Sequence, residues 1–90
     1  MKLTFDPIKH AANLAKRDLA FERVADLDWD TARMAEDSRK DYGEPRVRVT
    51  GLLEGRLHVA IITKRDNSTR VISFRKANSR EVKRYEEDSD

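Results

Sequence analysis

RVRVTGLLEGRLHVAIITKR, residues 46–65, holds two alternating arms on either side of a Glu-Gly pair, and the architecture follows from them. Val47 and Val49 alternate with Arg46, Arg48 and Thr50. Beyond Glu54-Gly55, Leu57, Val59 and Ile61 alternate with His58, Ala60 and Ile62. A period of two on both arms of a glycine-containing pair predicts a β-hairpin. The second arm is apolar on both faces around residues 60–62, as in a central strand covered on one side by helices.

The neighbouring segments extend this sheet. Asp66-Asn67-Ser68 turns the chain again, and residues 70–75 read as a further antiparallel strand. Strict alternation there puts Arg70, Ile72 and Phe74 on one face and Val71, Ser73 and Arg75 on the other. Asn78 or Ser79 then caps a last helix. With Asn78 as the cap, Glu81 stands three residues on, where a capping-box carboxylate belongs, and Val82 and Tyr85 face the sheet.

Toward the N-terminus, Leu3 and Phe5 mark a short strand, and Asp6-Pro7 supplies a helix cap followed by a proline at the first helical position. The helix through about Arg17 carries a slim apolar stripe of Ile8, Ala11, Ala12, Leu14 and Ala15. That stripe is expected to pack closely on the sheet, with Lys9, Asn13 and Lys16 outward. Phe21, Val24 and Ala25 predict a shorter second helix, with Trp29 packed between it and the sheet. Residues 31–35 predict a weak strand and 38–45 a loop. The fold class is therefore α+β: an antiparallel meander with helices on one face, in the order β-α-α-β-β-β-β-α.

Ninety residues make one domain, 1–90, with a single modest core and an acidic tail at 86–90 that is expected to fray. The net charge of +2 hides an asymmetry: residues 1–45 carry 8 basic and 10 acidic groups, whereas residues 46–90 carry 11 and 7. The second half is where a polyanion would dock. Zero cysteines exclude disulfides and thiolate metal sites and fit a reducing cytosol. No run approaches 18 apolar residues and the N-terminus lacks an apolar h-region, so a cytoplasmic protein without membrane contact is expected.

An arginine at the end of strand 70–75, followed by a capped helix bearing Arg80, Lys83 and Arg84, places several fork-shaped donors near a helix N-terminus, which favours phosphate. The competing account is a solvated, salt-bridged surface. Glu81 and Tyr85, at i and i+4, share a helix face. They fit acid–base work on a ribose 2′-hydroxyl, or, more plainly, a helix cap and a packed ring. His10 and His58 are too isolated for a metal site, and three glycines form no phosphate loop, so any catalysis is expected to need no metal and no cofactor.

Phe5-Asp6-Pro7-x-Lys9, Asn13, Lys16, Phe21-x-x-x-Ala25, Asp37-x-Arg39, Glu44-x-Arg46, Gly51, Thr63-x-Arg65, Arg70-Val71-Ile72-Ser73-x-Arg75-x-Ala77, Glu81 and Tyr85, in this order and spacing, resemble the BrnT toxins of bacterial type II toxin–antitoxin systems over nearly the whole chain. The resemblance implies a small ribonuclease of RelE-like fold that cleaves RNA without metal and arrests translation. It also implies a BrnA-type ribbon-helix-helix antitoxin as partner, in a heterotetramer that reaches DNA only through the antitoxin. Two departures stand out. Lys16-Arg17-Asp18 replaces the family's Lys-His-Gly, and Ala20 replaces a small polar helix cap. A catalytically weak RNA- or antitoxin-binding module, acting only as corepressor, is the alternative they keep open.

RNA is expected to lie across the open face of the meander. Arg65, Arg70 and Arg75 would clamp the scissile phosphate, Glu81 or Lys16 would handle the 2′-hydroxyl proton, and Tyr85 would position or protonate. Arg46, Arg48, Lys64, Arg80, Lys83 and Arg84 would track the backbone.

Overall fold

The computed structural model describes residues 1–88. In chain order it contains β1 (Leu3–Phe5), α1 (Pro7–Arg17), a 3₁₀ helix (Phe21–Asp26), β2 (Arg33–Glu36), β3 (Val47–Leu53), β4 (Arg56–Arg65), β5 (Ser68–Lys76) and α2 (Ser79–Asp88). The five strands form one sheet in the order β1-β5-β4-β3-β2. Of the acidic tail, 86–88 belong to α2, while 89 and 90 lie outside the described residues.

The hairpin in residues 46–65 forms as its alternation predicts. Glu54 and Gly55 both take positive φ, 50° and 78°, as a two-residue hairpin turn whose twist matches the strands requires. The sheet is mixed rather than a pure antiparallel meander, because β1 runs parallel to β5, Leu3 opposite Thr69 and Phe5 opposite Val71. Pairing between segments more than sixty residues apart leaves no local trace in the sequence.

Helices cover both faces of the sheet, not one. On the first face, Val49, Ala60, Ile62, Val71 and Phe74 bury themselves against Leu19, Phe21, Val24 and Leu27 from the α1 to β2 region, with Trp29 packed at the margin. On the second face, Leu57, Val59 and Ala77 pack against Val82 and Tyr85 of α2. Successive side chains of β4 alternate between these two cores, so its apolar run serves both.

A β-bulge in β5 overturns the strict alternation expected there. Ile61 pairs with Ser73 while Ile62 pairs with Val71, leaving Ile72 as the extra residue. One inserted residue shifts the phase of the strand by one. Val71 and Phe74 therefore both point into the first core, and Arg70, Ser73 and Arg75 share the second face.

The first helix is also reversed from its predicted orientation. Asn13 is buried and its amide nitrogen donates to the Leu19 carbonyl at 2.9 Å, tying the helix to the turn that follows. The His10 ring sits 4.6 Å from Phe5 and 5.7 Å from Phe21. Ile8, Ala11, Ala12, Leu14 and Ala15 are left exposed. A buried amide bonded to backbone and an imidazole among rings hold α1 to the sheet, and the apolar stripe turns to solvent.

The segment at residues 21–26 is 3₁₀ rather than α, and Ala20 makes no side-chain cap hydrogen bond at its start. Helix α1 ends on Asp18, whose backbone is left-handed at φ 53°, ψ 41° with its N–H on the Leu14 carbonyl. Aspartate bears strain there that glycine does not, and its negative charge stands at the negative end of the helix dipole. Replacing Asp18 with glycine is expected to raise unfolding free energy by about 0.5–1 kcal/mol, read from urea denaturation of the two proteins.

Candidate nucleic-acid site

On the second face, four arginines from separate parts of the chain surround a depression of about 250 Å³ floored by Val59, Ile61 and Ser73. Arg48 comes from β3, where alternation with buried Val49 turns it to this face. Arg75 comes from β5, opposite Val59, and reaches the face because of the bulge. Arg39 comes from the β2–β3 loop and Arg17 from the last turn of α1.

Each is positioned differently. Asp37, itself buried and bonded through its N–H to the Arg46 carbonyl at 2.8 Å, accepts from Arg39 Nε at 2.8 Å and Nη2 at 3.0 Å. The Arg39 hydrogen bonds hold the Asp37 carboxyl below its usual range and raise Arg39 in turn. Arg17 Nη1 donates to Asn13 Oδ1 at 3.3 Å and to the Phe74 carbonyl at 3.4 Å. Half-buried Arg48 has no hydrogen-bond or ion-pair partner among the described residues.

Arg75 and Glu81 form the organising pair. Arg75 donates from Nη1 to Glu81 Oε1 at 2.8 Å and from Nη2 to Oε2 at 3.0 Å. Oε1 also accepts the Asn78 N–H at 2.9 Å, while Asn78 Oδ1 accepts the Glu81 N–H at 2.9 Å, which completes the capping box. The Arg75 hydrogen bonds, assisted by the Asn78 N–H and the charges of Arg75 and Arg48, lower the Glu81 pKa to about 2 against the opposing effect of burial. Glu81 is thus a carboxylate at neutral pH with both oxygens engaged. A base that weak is poorly matched to a hydroxyl proton.

A second, larger depression of about 530 Å³ adjoins the first and shares Arg48 and Glu81 with it. Arg33, Arg80, Arg84 and Tyr85 line its far side. The Tyr85 hydroxyl donates to the Thr31 carbonyl at 3.1 Å, and the Arg33 guanidinium lies 4.8 Å from the Tyr85 ring centre. Tyr85 therefore ties α2 to the β2 side of the sheet.

The structure gathers Arg48, Arg75, Glu81, Arg80, Arg84 and Tyr85 from the residues singled out in the sequence. It does not bring Arg65 to them. Arg65 stands six β4 positions beyond Val59, the partner of Arg75, or about 20 Å along the strand, and its Nη2 donates to Glu44 at 2.7 Å. Lys64 donates to Thr69 at 3.1 Å, and Arg46 stacks 3.9 Å from the Tyr42 ring centre, both toward that same distant end. Arg70 shares the face but pairs with Thr63, about 13 Å from Arg75 along the strand. Lys16 and Lys83 are exposed and line neither depression.

Arg17, Arg33 and Arg39 were not among the expected site residues. Arg39 carried a usable signal, a carboxylate two residues before it able to fix the guanidinium. Arg17 was marked only as the residue in place of the family's histidine and Arg33 carried no signal, because only folding brings them from their own segments to this face. The histidines are structural: His58 Nδ1 lies 2.7 Å from the Arg56 carbonyl, and burial lowers its pKa. Among the described residues no three His, Cys, Asp or Glu side chains gather as a metal group, and no helix is long and apolar enough to cross a membrane.

The depressed Glu81 pKa fixes the sign of one pH effect. A carboxylate lowered on folding contributes stability that is complete above its ordinary value near 4.5 and is lost as pH falls toward about 2. Glu81→Gln is expected to cost about 1–2 kcal/mol at pH 7. It should also flatten the loss of stability between pH 4.5 and 2, as followed by thermal unfolding across that range.

No curated protein matches the chain. The family model described as "Ribonuclease toxin, BrnT, of type II toxin-antitoxin system" matches residues 5–81. That span contains all four arginines of the depression, the three β5 residues whose face the bulge sets, and Glu81, at which it ends. The chain belongs to the BrnT family of type II toxin–antitoxin ribonuclease toxins.

Proposed function

We propose that this ribonuclease toxin cleaves single-stranded RNA on the second face of its sheet, with the scissile phosphate seated among Arg17, Arg39, Arg48 and Arg75. The supporting observation is Arg48, a half-buried guanidinium that makes no hydrogen bond or ion pair among the described residues and meets Glu81 only as a nearby charge, beside three others whose positions are already fixed. A phosphate supplies the direct hydrogen bonds that Glu81, bound to Arg75 on both oxygens, does not offer Arg48, and guanidinium is suited to it by shape and by permanent charge.

The 2′-oxygen attacks the adjacent phosphorus as the bond to the 5′-oxygen breaks. The hydroxyl proton leaves to solvent and the departing oxygen takes one up. The products are a 2′,3′-cyclic phosphate and a 5′-hydroxyl. Negative charge grows on the non-bridging oxygens in this step, and preorganised guanidinium donors stabilise it without a metal ion. Glu81 acts as a positioning residue that aims Arg75, and Tyr85 as an anchor for α2. The adjoining depression, with Arg33, Arg80 and Arg84, receives the neighbouring nucleotides.

In the cytoplasm such cleavage depletes messenger RNA and inhibits translation. The partner is a BrnA-type ribbon-helix-helix antitoxin, in a heterotetramer that contacts DNA through the antitoxin alone. A second reading is favoured by one observation: among the described residues the depression holds no histidine, and the one carboxylate lining it, Glu81, is bound on both oxygens. On that reading the protein binds RNA and antitoxin with little turnover. Induced expression separates the two, since a nuclease halts growth and a binder is tolerated.

Arg48→Ala is expected to lower cleavage of a short RNA in chelator by about 10²–10³-fold, with the thermal midpoint little changed. It should also reduce the salt dependence of RNA binding by about 0.7 in the log–log slope. Arg65→Ala is expected to leave both values at those of the parent. Equal losses in the two variants would place the phosphate elsewhere.

A further inference from the structure

Helix α1 presents an apolar face to solvent. At 100° per residue, the buried or sheet-bound side chains His10, Asn13 and Arg17 point one way, and Ile8, Ala11, Ala12 and Ala15 point the other. Ile8 is 79% exposed, and Leu14, on the flank, is 43% exposed. Single exposed apolar residues need no explanation. Here every outward position of three helical turns is apolar, in a chain of which 40% is charged. Helix propensity accounts for the alanines and Leu14, whereas Ile8, the most exposed of them, serves neither propensity nor the core, because Asn13 and His10 already attach α1 to the sheet.

We infer that the outward face of α1 is a docking surface for an amphipathic helix with acidic residues on one flank, and that the antitoxin supplies this helix. The inference rests on the antitoxin partnership proposed above. The three alanines allow another helix backbone to approach closely, with Ile8 and Leu14 as the larger contacts at the end and side of the strip. Lys9 and Lys16, both exposed, run along one edge two turns apart, so carboxylates seven residues apart on an incoming helix meet both.

A second copy of this chain fits less well. An antiparallel two-fold pair sets the lysine edge of one copy against the same edge of the other, and like charges there oppose association. The strip also lies apart from the arginine depression, since α1 packs on the first face and only Arg17 reaches around to the second. Docking and cleavage are therefore separable by mutation.

The test uses the full-length protein, a purified BrnA-type antitoxin and two variants, Ala12→Arg and Lys9→Glu. Ala12→Arg is expected to weaken antitoxin binding at least 100-fold, and Lys9→Glu about 10-fold, each with parental RNA binding and thermal midpoint. Amide hydrogens of residues 8–15 should gain protection from exchange in the parental complex. Antitoxin binding by Ala12→Arg at parental strength overturns the docking site while leaving the partnership intact. Failure of the parent itself to bind antitoxin overturns the partnership and the docking site together. Two further results overturn the assignment in favour of another occupant if antitoxin affinity is unchanged: loss in Ala12→Arg of a parental dimer seen by sedimentation, or loss of parental binding to vesicles of anionic phospholipid.

Discussion

One carboxylate organises the functional half of this molecule. Glu81 simultaneously closes the capping box of α2 and holds both ends of the Arg75 guanidinium. The first interaction sets where α2 begins and the second sets where it lies, with its first turn against the end of β5. Because the α2 core is small, with Leu57, Val59 and Ala77 packed by Leu52, Val82 and Tyr85, this polar connection adds to the docking together with the Tyr85–Thr31 hydrogen bond and the Arg33–Asp88 ion pair. The walls of both depressions follow from it, since α2 forms one side of each.

The same pair explains how a chain with so many cations avoids holding them all at equal readiness. Arg39, Arg65 and Arg75 each have a carboxylate within hydrogen-bonding distance. Such pairs contribute modestly to stability where they are exposed, and their main effect is to hold a flexible side chain in one place. Arg39 and Arg75 are held beside the depression, whereas Arg65 is held away from it. Arg48 and Arg17 have no carboxylate at that distance among the described residues, and Arg17 is placed by the Asn13 amide and the Phe74 carbonyl instead. The field at the depression is therefore positive, with one bound carboxylate among four guanidinium groups.

Asn13 connects this arrangement to the opposite side of the protein. Its amide nitrogen secures the turn at Leu19 and its carbonyl oxygen accepts from Arg17, so one buried side chain orients α1 and helps aim a residue of the site. The orientation of α1 is thus decided by polar contacts, and its apolar surface becomes available outside the fold. The left-handed Asp18 that ends the helix sits between these two functions, immediately after Arg17.

The hairpin, the capping box, the order of elements and the basic second half were legible from the sequence, because each depends on residues within a few positions of one another. So was the family, whose fragments keep their order along the chain. The parallel pairing of β1, the bulge at Ile72 and the outward turn of α1 were not. A bulge changes which side chains share a face without altering composition, and an apolar helical stripe records that a face exists but not what covers it. The cluster itself was half visible. Arg75, Glu81 and Arg48 stand in patterned segments, while Arg17 and Arg39 arrive from a helix end and a loop. Only the tertiary structure decided which arginines meet, because convergence depends on the path of the backbone between them, and that path is set by burial of residues far from any of the charges.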